Sequence, residues 1–148
     1  MKNIINIAVV GLGQVGIYLL NELNTKKKDI ELKTGKKINI VAVSARSISK
    51  KRRFKFDKKI FFKNPLEIFN KTKVDILFEA IGMSDGISKK VVETALKNKI
   101  HVITPNKALI SKHGDYKNMT FDEFNLFLKD YSNNSKYPDI NRSYKWKI

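Results

Sequence analysis

Apolar residues recur at two spacings along this chain, and the two take turns as far as Thr104. Ile4, Ile5, Ile7, Ala8, Val9 and Val10 form a run broken only by Asn6, too short for a helix, and it predicts a strand buried on both faces. The run enters Gly11-Leu12-Gly13-Gln14-Val15-Gly16 and then Ile17-Tyr18-Leu19-Leu20, which predicts a helix over 15–24. Lys26 to Lys37 reads as a polar, basic connection that turns at Gly35. The β-branched stretch Ile38 to Val43 predicts a second strand, and Ser44 to Lys59 a solvated basic segment. Ile60-Phe61-Phe62 fits a short strand, and Asn64-Pro65 opens a short helix, since proline is tolerated at the first helical position. Val74 to Ile81 predicts a strand closed by Gly82. Ser88 to Asn98 carries Val91, Val92, Ala95 and Leu96 at helical spacing, and Ile100 to Thr104 predicts a last strand. Strands alternating with helices argue for an α/β fold, a doubly wound parallel sheet with helices on both faces. After Gly114 the pattern changes. Residues 115–128 carry a helical stripe of Phe121, Phe124, Phe127 and Leu128, and from Tyr131 no period is visible, so an irregular end is expected.

The first turn carries candidate chemistry. G-x-G-x-x-G between a strand and a helix is the context in which a dinucleotide pyrophosphate is held in Rossmann-type sheets. Gly11 permits the tight turn off the strand, Gly13 lets backbone amides approach the phosphates, and Gly16 allows close packing of the helix. The helix N-terminus then presents free N–H groups and a partial positive charge to an anion. The plainer alternative is a glycine-rich turn that binds nothing. At the end of the second strand an acid would favour NAD through the ribose 2′-hydroxyl, whereas an arginine would accept the 2′-phosphate of NADP. The chain reads Val43-Ser44-Ala45-Arg46-Ser47 there, with no acid before Asp57. Arg46 therefore favours NADP, with NAD possible; Ser44 and Ser47 add hydroxyl donors, and Lys50 and Lys51 lie close by in sequence. Otherwise Arg46 is simply a solvated loop charge.

Composition adjusts this picture in two ways. The 148 residues, 42% hydrophobic, suffice for one domain with its own core, and no run is long enough to span a membrane. The absence of cysteine excludes disulfides and thiolate chemistry and fits a reducing, cytoplasmic setting. The net charge of +16 has three readings. Lysine makes up most of it, and with the abundant Asn, Ile and Phe it matches AT-rich coding. A positive field also attracts a phosphorylated cofactor. Nucleic-acid binding is the third reading, and Arg53-Phe54-Lys55-Phe56 is the only run interleaving basic and aromatic residues.

Five segments, in order, resemble homoserine dehydrogenase: residues 9–16 (VVGLGQVG), 41–47 (VAVSARS), 74–82 (VDILFEAIG), 92–98 (VETALKN) and 101–114 (HVITPNKALISKHG). The resemblance spans residues 4–114, and Thr-Pro-Asn-Lys-Ala with His-Gly is its most specific part. It implies an NAD(P)-dependent oxidoreductase that interconverts homoserine and aspartate 4-semialdehyde, a step toward threonine and methionine. Carried over residue by residue, Leu12, Gly13, Gln14, Val15 and Gly16 cradle the pyrophosphate, with Gly11 turning the chain ahead of them, and Arg46 meets the adenosine 2′ position. Ala80, Ile81 and Gly82 lie by the nicotinamide ribose, and Lys107 sits near nicotinamide and substrate as the catalytic candidate. The alternative for Lys107 is a salt-bridged structural lysine. His101 and His113 are expected to be structural, having no ligand partners at metal spacing.

Met83 departs from the family where many members carry a second glycine, as do Lys51 and Arg53 from its aspartate and glycine. Nothing after Gly114 resembles the family's catalytic domain. The expectation is therefore a Rossmann domain over 1–114 with a divergent tail over 115–148, the cofactor half of a truncated or split enzyme. Its expected partners are a small-molecule substrate and a separately encoded catalytic half, with neither membrane nor nucleic acid. A stand-alone NADP-binding module without catalysis is the alternative, and a basic nucleic-acid-binding α/β protein is a more distant one.

Overall fold

The computed structural model describes residues 3–48, 55–115 and 145–146. Five strands form one parallel sheet: β1 (Ile4–Val10), β2 (Lys37–Ser44), β3 (Phe61–Phe62), β4 (Ile76–Glu79) and β5 (His101–Ile103), in the order β3-β2-β1-β4-β5. The chain winds outward from β1 to β3, returns to pair β4 with the other side of β1, and winds outward again. The strand order therefore reverses beside β1, and in such sheets the crevice at the carboxyl ends of the strands at that point takes the ligand. The Rossmann-type fold expected from the sequence is the fold observed.

Alternation along β1 builds two cores. Ala8 and Val10 face one layer, packed with Ile68, Val91, Val92, Ala95 and Leu109. Ile7 and Val9 face the other, with Leu12, Leu20, Ile38 and Val43. The helical contributors come from α1 (Gln14–Thr25) on the second face and from α3 (Ile68–Lys71), α4 (Ile87–Lys97) and α5 (Lys107–His113) on the first, so both faces of the sheet are covered. Leu20 has no exposed surface, and burial of such a side chain stabilises by about 2–3 kcal/mol. Asn64 opens the segment before α3 as the proline suggested: its side-chain oxygen accepts from the Leu66 N–H at 3.1 Å, and Pro65 sits in the first turn.

The expected polar connection after α1 is instead a second helix, α2 (Lys27–Thr34). Its apolar period is nearly absent, because Ile30 alone packs toward the core and Leu32 is 85% exposed. Charge spacing takes its place. Lys33 meets Asp29 at 2.9 Å and Lys27 lies 3.9 Å from Glu31, both four residues apart. Glu31 also accepts from the Ile38 backbone N–H at 2.8 Å, which ties the helix to β2, and Gly35 ends it in the left-handed region at φ 66°. The short helix α5 lay within a stretch read only as a motif. The helix expected over 115–128 lies outside the described residues. Gly114–Asp115 and Lys145–Trp146 pair as two short antiparallel strands. Among the described residues no helix is long and apolar enough to cross a membrane.

Helix α1 approaches so closely that a β-carbon on Gly16 would lie 1.9 Å from the carbonyl oxygen of Gly11 and 3.8 Å from Val9. Gly16 thus packs against the glycine turn more than against the strand itself. Backbone cannot rotate away as a side chain can. Gly16→Ala is expected to lower stability by about 3 kcal/mol, the upper part of the range for overpacking, in urea unfolding followed by circular dichroism. An unchanged midpoint would contradict this packing.

Candidate functional site

The carboxyl ends of β2, β1 and β4 are laced together by backbone alone. The Gly11 N–H donates to the Ser44 carbonyl at 2.9 Å, and the Ala80 N–H donates to the Val10 carbonyl at 2.7 Å. Gly11 has φ 96°, and a β-carbon there would lie 2.4 Å from the Ala80 carbonyl group and 2.6 Å from the Ile81 nitrogen. Only glycine satisfies both the turn and this contact. Gly11, Ala80 and Ile81 are thereby brought together.

Gly13 is different. It is exposed, and nothing lies within 4 Å of a β-carbon built on it. It precedes the first turn of α1, which has no side-chain cap and no acidic residue. Gln14 and Val15 are exposed, Gly16 is buried beneath them, and the Leu12 side chain points into the core, so Leu12 has only backbone to offer. An open space before uncapped amides at a switch point has the shape and polarity that a pyrophosphate requires, and the residues present fit a dinucleotide.

The other wall is the loop after β4, and a buried carboxyl holds it. Glu79, with no exposed surface, accepts at Oε1 from the Ile81 N–H at 2.8 Å and from the Ser88 hydroxyl at 2.9 Å; at Oε2 it accepts from the Thr104 hydroxyl at 2.5 Å. One side chain thus joins the loop, α4 and the end of β5. Thr104 accepts in turn from the Asn106 N–H at 3.0 Å. Asn106 caps α5 by accepting from the Leu109 N–H at 3.1 Å, and its amide donates to the Met83 carbonyl at 2.8 Å. Lys107 follows as the exposed first residue of α5, next to an anchored cap. Thr104 and Asn106 of the Thr-Pro-Asn-Lys motif are therefore the scaffold on which Lys107 is mounted.

Residues 83–85 are clamped from the far end of α5. His113 Nε2 lies 2.8 Å from the Ser84 carbonyl and 2.9 Å from Asp85 Oδ1; both accept, so this nitrogen carries the proton. Lys112 pairs with the other Asp85 oxygen. That hydrogen bond, more than those from His113 and Ser84, holds the Asp85 carboxyl below its ordinary value, against a smaller opposing effect of desolvation. His113 thus ties the end of α5 to this loop. Gly82 at φ 85° supplies the bend that starts the loop.

Arg46 lies two residues beyond β2 and is exposed; its Nη2 contacts the Met83 sulfur at 3.6 Å. Ser44 is buried, so of the two serines expected to offer hydroxyls only Ser47 is exposed. Lys50, Lys51, Arg53 and Phe54 lie outside the described residues. Phe56 stacks on Phe61 with ring centroids 6.0 Å apart and packs on the core, which removes one of two aromatics from the basic run. No cluster that could hold a metal ion occurs among the described residues. Sequence reading missed Glu79, Asn106 and Asp85. The available signal was an acid ending an otherwise apolar strand, which burial permits only with partners.

The sequence model of the homoserine dehydrogenase NAD-binding domain matches residues 11–125. The homoserine dehydrogenase of Neisseria gonorrhoeae is 32% identical over 111 residues, covering 75% of this chain and 25% of that protein. That of Bacillus subtilis is 26% identical over 110 residues, with 74% and 25% covered. Among solved structures, homoserine dehydrogenase from S. aureus superimposes with a TM-score of 0.64 at 35% identity, over 70% of this chain and 26% of that one. The Thiobacillus denitrificans enzyme gives 0.64 at 26% identity, over 76% and 26%. The chain spans about a quarter of the length of the curated relatives it matches.

Glu79→Ala removes three hydrogen bonds and leaves two buried hydroxyls, Ser88 and Thr104, without their acceptor. A loss of about 3 kcal/mol or more is expected, read as a lower denaturation midpoint. Thr104→Val, which deletes one donor at nearly constant shape, should cost less. Equal or negligible losses for the two variants would contradict the central place given to Glu79.

Proposed function

The chain belongs to the homoserine dehydrogenase family through its NAD-binding domain, and we propose that it forms the NADP-binding half of an enzyme that interconverts homoserine and aspartate 4-semialdehyde. The observation that carries this reading is the open space at Gly13, in front of the uncapped first turn of α1. The backbone amides of Gly13, Gln14, Val15 and Gly16 hold the pyrophosphate, after the turn at Gly11 and the buried Leu12. Arg46 takes the adenosine 2′-phosphate, which favours NADP over NAD. Ala80, Ile81 and Gly82 flank the nicotinamide ribose. When bound, NADP+ supplies the hydride acceptor. Lys107 holds the substrate and polarises its oxygen with a positive charge. Residues 1–114 are read as the binding domain and 115–148 as a divergent tail, in a cytoplasmic setting.

Hydride transfer needs substrate held about 3–3.5 Å from the nicotinamide together with a group that exchanges its proton. Lys107 addresses one side of that arrangement. The other side is assigned to the part of the relatives' length that this chain does not match. The purified 148-residue protein is thus expected to bind NADPH more tightly than NADH, and to form no NADPH from millimolar homoserine on its own. Equal affinities in titration calorimetry at fixed salt would overturn the cofactor assignment. Turnover that disappears in Lys107→Ala would overturn the assignment of the other side to a further catalytic part and establish a complete site within these residues.

A further inference from the structure

The contact between Arg46 and Met83 joins the two banks of the crevice. Arg46 follows Ser44 at the end of β2, and Met83 follows Glu79 beyond the end of β4. Ser44 and Glu79 are the register partners of Val10 on opposite sides of β1. The two strands therefore stand two sheet spacings apart, roughly 10 Å, with the end of β1 and its glycine turn between them. The 3.6 Å contact from the guanidinium to the thioether spans from the β2 side to the β4 side. Met83 is fixed for this purpose, because its carbonyl is held by the Asn106 amide and its neighbours Ser84 and Asp85 by His113. Its side chain is still 39% exposed. Arg46 is exposed, on the segment beyond the strand.

We propose that Met83 is a positioning residue for cofactor entry: its sulfur latches Arg46 across the crevice, and a dinucleotide must break this contact before it can lie on the glycine turn. The inference rests on the reading above that the turn is the dinucleotide site. NAD+ and NADP+ both displace the latch, but only NADP+ gives the released guanidinium a new partner in its 2′-phosphate. Latch strength therefore changes both affinities by one common factor, whereas the choice between the two cofactors depends on Arg46 alone. The side chain at the position of Met83 sets the threshold and the one at Arg46 sets the preference.

A thioether is a weak acceptor, so the latch belongs at the low end of net hydrogen-bond strengths. Removing it should tighten binding about threefold, whereas an amide oxygen in its place should weaken binding about fourfold. The experiment is calorimetric titration of the full chain with NAD+ and with NADP+ at one ionic strength, for the parent, Met83→Ala, Met83→Gln, Arg46→Ala and the double variant Met83→Ala/Arg46→Ala. Met83→Ala should tighten both cofactors by the same factor, and Met83→Gln should weaken both by the same factor. Arg46→Ala should tighten NAD+ as much as Met83→Ala does, and the double variant should bind NAD+ no more tightly than either single one. A purely structural role for Met83 would not produce that non-additivity. Unchanged NAD+ affinity in the two alanine variants, or additive gains in the double one, overturns the latch. An NADP+ to NAD+ ratio unmoved by Arg46→Ala overturns the Arg46 assignment instead, and the NAD+ values then still decide the latch.

Discussion

The buried carboxyl of Glu79 is the constraint on which the site depends. A carboxyl with no exposed surface is stable only where partners replace water, and here the three partners belong to three different elements. Those hydrogen bonds fix the loop after β4 relative to α4 and to the end of β5. Thr104 and Asn106 extend the same network to the start of α5 and back to Met83. The wall of the crevice facing the glycine turn is thus set by polar groups within an apolar core. Apolar packing fills such a space but does not single out one loop conformation.

The glycines divide by task. Gly11 and Gly16 serve the fold, since any β-carbon on either would meet backbone. Gly13 has no such role among the described residues, because nothing lies within 4 Å of a β-carbon built on it. Behind it lies the first turn of α1, with no side-chain cap and no acidic residue, and the amides of such a helix start favour an anion. A motif that counts as one signal in the sequence therefore separates, in three dimensions, into two positions that internal packing requires to be glycine and one that it leaves open.

Much of the architecture was legible because it rests on burial. The strand runs in β1, β2 and β4 and the apolar spacing of α4 reflect two covered sheet faces. Helix α2 was not legible, because charge pairs and one contact from Glu31 hold it, with Ile30 as its single core residue. Within the site, Arg46 and the glycine turn stood out by residue type and spacing. Glu79, Asn106 and Met83 did not, since the contacts that tie them across the site join residues 9 to 37 positions apart and no local pattern announces those. Family resemblance singled out Thr-Pro-Asn-Lys as a unit, and the geometry separates its members into supports, Thr104 and Asn106, and an exposed lysine.

The central claim is that backbone opened by Gly13 holds a dinucleotide phosphate. Gly13→Val tests it most directly, because a β-carbon at this position meets nothing within 4 Å. NADP+ titration should be run beside urea unfolding on the same preparations of parent and variant. The account expects binding to be abolished, with the unfolding midpoint close to that of the parent. A folded Gly13→Val variant that still binds NADP+ with parental affinity would contradict it.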